Sequence, residues 1–365
     1  MKPFKYFRNY FYYLKSFFNR QSRICQICLS VTDQCNSRCT QCSAWKSYLL
    51  DPSLKEKEFK LSEIEMMIKT SKSLNFLNTI SLTGGEPILR KDLIDIAQMI
   101  NKEHKGIRFF LQSNGLNSEK LIERAKEMVS FSDTTMCVSI DGINSTHDKV
   151  RGIKGSFKTT KQTIKKLHDD GYEISLSCNI TPANYLEIKK VWDEFKDIVD
   201  YFSCRPIAVG AFFKTSEKNE FVLNKKQRNS VIKQLKNINY AKNLFVYQVS
   251  RILFNQKRFF PCRAGYFSVI ITPTLDVYPC SACPEDWCFG NLRDVDCNLD
   301  ALLESEKGKK IKMMVNNCRK YETEFCINEP EFFSTAHFQI FRLFFWLLIH
   351  DLPTLWKNFF HKKLK

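Results

Sequence analysis

The chain has 365 residues, 44% of them hydrophobic, which is too many for one small domain and enough for a full core. That length fits two domains, or one large α/β barrel with an appendage. The formal net charge of +17 points to an anionic partner such as phosphate groups, nucleic acid or a membrane face.

Residues 1–23 open the chain with Phe4, Phe7, Phe11, Leu14 and Phe18 at helical spacing, among six Lys or Arg and no acid. Strand-length apolar runs then alternate with helix-period segments. Strands are predicted at 27–33, 79–85, 107–115, 134–142, 172–181 and 199–207. Helices are predicted at 61–74 (opened by Ser62), 92–103, 118–129, 159–171 (closed by Gly171) and 186–195. Repeated βα units imply a parallel sheet, and in such sheets functional groups gather beyond the C-terminal strand ends. The unusual residues of this chain fall there: a cysteine loop after the first strand, Gly84-Gly85-Glu86-Pro87 after the second, Asn114-Gly115 after the third and Asp141-Gly142 after the fourth. Residues 208–260 read as helical, basic and connective. Residues 261–330 read as a small metal-stapled module. The C-terminal end carries an apolar stripe of Leu352, Leu355, Trp356, Phe359 and Phe360 beside basic residues.

Fifteen cysteines without a readable secretory signal argue for metal binding or catalysis over disulfides, in a cytoplasmic setting. No segment reaches the roughly 18–20 unbroken apolar residues of a membrane span. The nearest, 338–349, is interrupted by Arg342. Three cysteines, Cys35, Cys39 and Cys42, are spaced C-x3-C-x2-C in a polar loop with Asp33, Asn36, Ser37 and Arg38, poor material for a core. Zinc sites favour paired C-x2-C knuckles. Soft thiolates also hold iron–sulfur clusters, normally through four cysteines. A three-thiolate cluster leaves one iron open to a chelating ligand. A zinc-stabilised membrane- or nucleic-acid-binding protein without redox activity is the alternative.

With "GGEP" at 84–87, "SNG" at 113–115, "SIDG" at 139–142 and "HDKVRG" at 147–152, this loop resembles the radical S-adenosylmethionine (radical SAM) superfamily, over roughly residues 26–330. The resemblance implies a partial (β/α)6 TIM-like barrel over 25–210. It implies a [4Fe–4S] cluster on Cys35, Cys39 and Cys42, with S-adenosylmethionine chelating the fourth iron. Its reductive cleavage would give a 5′-deoxyadenosyl radical that takes a hydrogen atom from the substrate. By the same resemblance, Gly84 and Gly85 permit close backbone approach, Pro87 stiffens the turn and Glu86 accepts from the methionine amino group. Ser139 and Asp141, two apart on one strand face, suit the ribose hydroxyls. Asn114 is a further polar contact, and Arg151 pairs with the methionine carboxylate. Family members usually carry an aromatic residue in the loop where Thr40 and Gln41 stand; Trp45 follows the last cysteine.

Residues 211–330 resemble linker helices and a SPASM or twitch module, with one auxiliary [4Fe–4S] cluster assigned to Cys262, Cys280, Cys318 and Cys326. Cys283, Cys288 and Cys297 form the rival set, and Leu275 replaces the family's glycine. Cys25, Cys28, Cys137, Cys178 and Cys204 read as core. An electron donor such as flavodoxin or ferredoxin is implied, as is a peptide, carbohydrate or membrane-proximal lipid-linked substrate. Only 34 residues precede Cys35, fewer than the roughly 80 of a small recognition domain, so leader-peptide binding in cis is not expected. The amphipathic basic helices of 1–24 and 331–365 suit an anionic membrane surface, with packing on the barrel or on another subunit as the other reading. Nucleic acid is disfavoured, because no RNA-binding module is readable and the remaining charge is diffuse.

Overall fold

The computed structural model describes residues 22–207, 210, 212, 214, 219–238 and 262–318. The predicted terminal helices, Cys326 and residues 239–261 of the connection lie outside the described residues.

Six strands run parallel: β1 (Gln26–Thr32), β2 (Thr79–Gly84), β3 (Arg108–Ser113), β4 (Asp133–Ser139), β5 (Ile174–Ile180) and β6 (Tyr201–Pro206). The helices between them are α1 (Leu61–Thr70), α2 (Leu93–Glu103), α3 (Ser118–Val129), α4 (Ser145–Arg151), α5 (Ser156–Asp169) and α6 (Ile188–Phe195). Strand alternation sorts the sheet into two unlike faces. Leu29, Leu82, Leu111, Met136 and Ile174 stand in one register row and are all buried against the helices. The opposite face carries small polar groups. Ser139, Ser177 and Ser203 form one row across β4–β6, all half-buried.

Local signals explain the helix ends. Asn117 accepts the Lys120 N–H at 3.1 Å and caps α3. Gly171, at φ +77°, donates its N–H to the His168 carbonyl and stops the turn after α5. Two expectations for α1 are corrected. Its cap is Lys60, whose N–H is taken by the Glu63 carboxylate at 2.7 Å, so the start precedes Ser62. The helix ends at Thr70, short of residue 74. Ser71 is extended there because its hydroxyl accepts the Leu299 N–H, and the Ser73 N–H turns to Asp300.

The C-terminal hairpin is continuous with the sheet. β7 (Ser268–Ile271) pairs parallel with β1. β8 (Asp276–Tyr278) and β9 (Gly290–Asn291) follow antiparallel. The described sheet therefore has nine strands in the order β6-β5-β4-β3-β2-β1-β7-β8-β9, open at both edges. It is a partial TIM-like barrel carrying a cysteine-rich module. Leu275 turns the hairpin at φ +70°, a conformation costing about 1–2 kcal/mol without glycine. Its side chain is fully buried, which offsets the strain. α7 (Lys225–Leu235) follows β6 in the chain; α8 (Leu299–Glu304) and α9 (Glu306–Asn316) follow β9. Among the described residues, no helix is long and apolar enough to cross a membrane.

Candidate functional site

The three-cysteine loop lies beyond the end of β1, and neighbouring elements hold it by backbone. At Gly84 (φ +138°) a Cβ would stand 2.2 Å from the Thr32 carbonyl, and at Gly85 one would stand 2.4 Å from that of Gln34. The glycines thus admit the loop's own backbone. That contact lets Gly85 and Glu86 donate their N–H groups to Thr32 and Gln34 at 2.6 and 2.7 Å. From the other side α4 offers its last carbonyls. Arg38 N–H donates to Arg151 O at 3.0 Å, and Thr40 N–H donates to Val150 O at 2.9 Å. Gly152 closes this seam at φ +68°, where a Cβ would meet the Arg38 carbonyl at 2.3 Å. α4 itself is a seven-residue helix that the sequence pattern did not reveal.

The predicted polar residues converge on this loop. Glu86 is buried, and its Oε2 accepts the Asn114 N–H at 2.7 Å, while Oε1 has no partner. Burial pushes its carboxyl up to about 7 against the hydrogen bonds it accepts. Asn114 reaches back to Asn36 Oδ1 at 2.7 Å and lies 4.0 Å from Cys35 Sγ. Thr160 and Thr163 of α5 donate to the Asn114 and Gly115 carbonyls at 3.0 and 2.8 Å, fixing that turn. Pro87 opens the short turn 87–89. Ser139 stays half-buried on the polar face.

Asp141 and Arg151 are brought together. Their Oδ2 and Nη2 atoms are 2.9 Å apart, and Arg151 Nη1 lies 3.7 Å from Cys39 Sγ. Asp141 is wholly buried. It also accepts the Gln41 amide at 3.0 Å and the Asn179 N–H at 2.8 Å. His147 Nδ1 accepts the Asp141 N–H at 3.1 Å. Burial and the Arg151 charge lower that imidazole to about 3, so it stays neutral. Gln41, His147 and Asn184, whose amide donates to Asp141 O at 3.0 Å, join this cluster without having been assigned a role from the sequence. Only the HDKVRG motif had marked His147. Trp45 is half-buried against the loop. Its Nε1 donates to Cys39 O at 3.4 Å, and the Arg38 and Lys46 cations lie over its ring.

The family model described as the radical SAM superfamily matches residues 29–200. Residues 29–200 therefore form a radical SAM domain. It is 26% identical over 276 residues to the antilisterial bacteriocin subtilosin biosynthesis protein AlbA of Bacillus subtilis, covering 72% of this chain and 56% of AlbA. The chain spans about half or less of the length of the curated relatives it matches first. Its fold is that of anSMEcpe with bound AdoMet (TM-score 0.59, 17% identity, 91% of this chain and 95% of that one). It is also that of Streptococcus suis SuiB bound to the precursor peptide SuiA (TM-score 0.57, 14% identity, 80% and 67%).

The cofactors of this superfamily are a [4Fe–4S] cluster and S-adenosylmethionine, and the residues present fit them. Burial pushes the Cys35 and Cys42 thiols up to about 12 and about 11, so their thiolates need a compensating cation such as iron. Glu86 Oε1, buried and unpartnered, is an acceptor waiting for a donor such as an amino group. Among the described residues no three Cys, His, Asp or Glu side chains gather tightly enough for a single metal ion.

The second cysteine set is less gathered. Cys262 and Cys280 flank the hairpin, before β7 and after β8, so the antiparallel pairing brings them to one end. Cys318 follows α9. Cys283 and Cys288 both lie beside Tyr278. Cys297 stands at the other end of β8, where its carbonyl accepts the Thr70 hydroxyl of α1 at 3.3 Å and its thiol neighbours Glu63 and Arg293. The rival set is therefore split between the two ends of the hairpin.

Proposed function

We propose that the chain is a radical SAM enzyme acting on a polar substrate, with a peptide or protein side chain as the first candidate. The observation that carries it is the orphaned Glu86 Oε1 beside a half-buried three-thiol loop. When bound, the cluster and S-adenosylmethionine would supply one-electron cleavage of the sulfonium and abstraction of a substrate hydrogen atom. Cys35, Cys39 and Cys42 hold the cluster. Glu86 receives the amino group, Gly84, Gly85 and Pro87 shape the turn that aims it, and Ser139 faces the ribose. Asn114 keeps Glu86 and the loop in register. The row Ser139, Ser177 and Ser203 lines the face on which a substrate would lie. Hydroxyl groups there favour an amide- or hydroxyl-bearing substrate over a lipid chain. AlbA is named for bacteriocin biosynthesis and SuiB was solved with a precursor peptide, which supports the peptide reading.

An auxiliary cluster on Cys262, Cys280, Cys318 and Cys326 would accept an electron or bind the substrate, and flavodoxin or ferredoxin would supply the reductant. The test is anaerobic reconstitution with iron and sulfide, followed by an assay for 5′-deoxyadenosine with dithionite and S-adenosylmethionine. Wild type should form it and Cys35→Ala should not. A protein that binds zinc and no iron under these conditions would sink the proposal.

A further inference from the structure

We propose that Arg151 raises the reduction potential of the cluster held by Cys35, Cys39 and Cys42, by giving a buried cation and a hydrogen bond to the Cys39 sulfur. The inference rests on reading the loop as an iron–sulfur site. The resemblance assigns Arg151 to the methionine carboxylate; the geometry gives it a further task that is present before any such ligand arrives.

Nη1 of Arg151 is 3.7 Å from Cys39 Sγ, and the residue is only 8% exposed. The guanidinium cannot readily swing away. Its carbonyl accepts from the Arg38 N–H and the Ser37 hydroxyl at 3.0 and 3.1 Å, so the helix end is fastened to the cysteine loop. Its Nη2 faces Asp141 Oδ2 at 2.9 Å. Asp141 is anchored in turn by the Gln41 amide and the Asn179 N–H. The carboxylate that the resemblance assigns to a ribose is thus enclosed among protein groups. The three thiols are not equivalent. Cys39 Sγ meets the Arg151 guanidinium at 3.7 Å and the Ser37 hydroxyl at 3.2 Å, Cys42 feels the same Arg151 charge, and Cys35 faces the Ser37 N–H at 3.4 Å and the Asn114 amide at 4.0 Å.

Reduction adds one electron to the cluster, from an external donor such as dithionite, and no bond need form or break. The reduced form carries one more negative charge. A fixed cation and a donor to a ligating sulfur stabilise that form more than the oxidised one, and low dielectric strengthens the difference.

The experiment is a redox titration of reconstituted full-length protein without S-adenosylmethionine, followed by electron paramagnetic resonance. The signal read is the one missing from the C35A/C39A/C42A variant, which separates it from any auxiliary cluster. Arg151→Lys should titrate below wild type, because it keeps the charge and loses the fork. Arg151→Met should titrate lowest, because Asp141 is left uncompensated. D141N/R151M removes both charges together and should fall between Arg151→Met and wild type. This neutral pair also carries the test if Arg151→Met does not fold. Wild-type potentials in the variants that fold with wild-type iron content would overturn the proposal. Absence of iron from the wild-type loop is a different result, and would sink the iron–sulfur reading itself.

Discussion

The two cysteine regions of this chain are built differently. Around Cys35, Cys39 and Cys42 the frame is backbone. The turn after β2 donates N–H groups to the end of β1 and the loop, α4 supplies carbonyls to the loop, and glycines stand where any Cβ would collide. Around the C-terminal hairpin the thiols turn to carbonyls close in sequence. Cys283 Sγ donates to Cys280 O at 3.0 Å, and Cys288 Sγ donates to Gly290 O at 3.7 Å. A loop held through several elements keeps its ligands placed before metal arrives. A hairpin with local thiol contacts gains more of its order from the metal itself.

The largest effect should come from removing a proposed ligand in each region. Cys35→Ala should reduce 5′-deoxyadenosine formation to background. Cys280→Ala should lower the iron content and leave uncoupled formation within about threefold of wild type, about 0.65 kcal/mol in the barrier. Equal loss in both variants, with both proteins folded, would break the comparison.

The backbone frame can be tested at two neighbouring glycines. Gly152→Ala adds a Cβ 2.3 Å from the Arg38 carbonyl at a left-handed φ. It should cost about 3 kcal/mol in urea unfolding. Gly155 has a similar φ of +79°, with nothing within 4 Å of its added Cβ. Gly155→Ala should cost about 1 kcal/mol, the conformational strain alone. Similar losses at both sites would mean that the α4–loop seam yields easily.

Much of the first region was readable in the sequence because its signals are local. Alternation marks a strand such as Arg108–Ser113, and turn residues mark its end. α4 escaped because seven residues give no full amphipathic stripe. Gln41 looked like a gap where an aromatic was expected, and its role depends on Asp141, a hundred residues away. The joining of β7 to β1 was equally hidden, since a strand's own pattern does not name its neighbour. The early end of α1 is imposed by Asp300 and Leu299, which arrive late in the chain. The missed features are long-range contacts or elements too short for periodicity.

Asp148 offers a smaller test. Its carboxylate accepts the Gly155 and Phe157 N–H groups at 2.7 and 2.8 Å and the Ser156 hydroxyl at 2.9 Å, tying α4 to the first turn of α5. Asp148→Ala should cost about 1–2 kcal/mol. Desolvation pushes this carboxyl up, and the Phe157 and Gly155 hydrogen bonds outweigh it, so its folded pKa lies below the usual value. The stabilisation is therefore complete above the unfolded pKa of about 3.9 and is lost as pH falls through the lower folded value. The difference between wild type and Asp148→Ala should shrink only in that acid range. A constant difference down to the acid limit would remove the carboxylate from the account.

The smallest effect concerns how the hairpin is attached to the barrel. Arg293, just after β9, forms a fork on Glu63 of α1, with Nε–Oε1 at 2.6 Å and Nη2–Oε2 at 3.1 Å. The Arg293 side chain is 38% exposed, so solvent and salt screen the pair. A double-mutant cycle of Glu63→Gln and Arg293→Met should give a coupling of about 0.5 kcal/mol that weakens in high salt. The main attachment is instead the β1–β7 pairing and the buried Leu275 and Leu292 side chains. A salt-insensitive coupling above about 2 kcal/mol would reverse that ranking and make the ion pair a principal tie between hairpin and barrel.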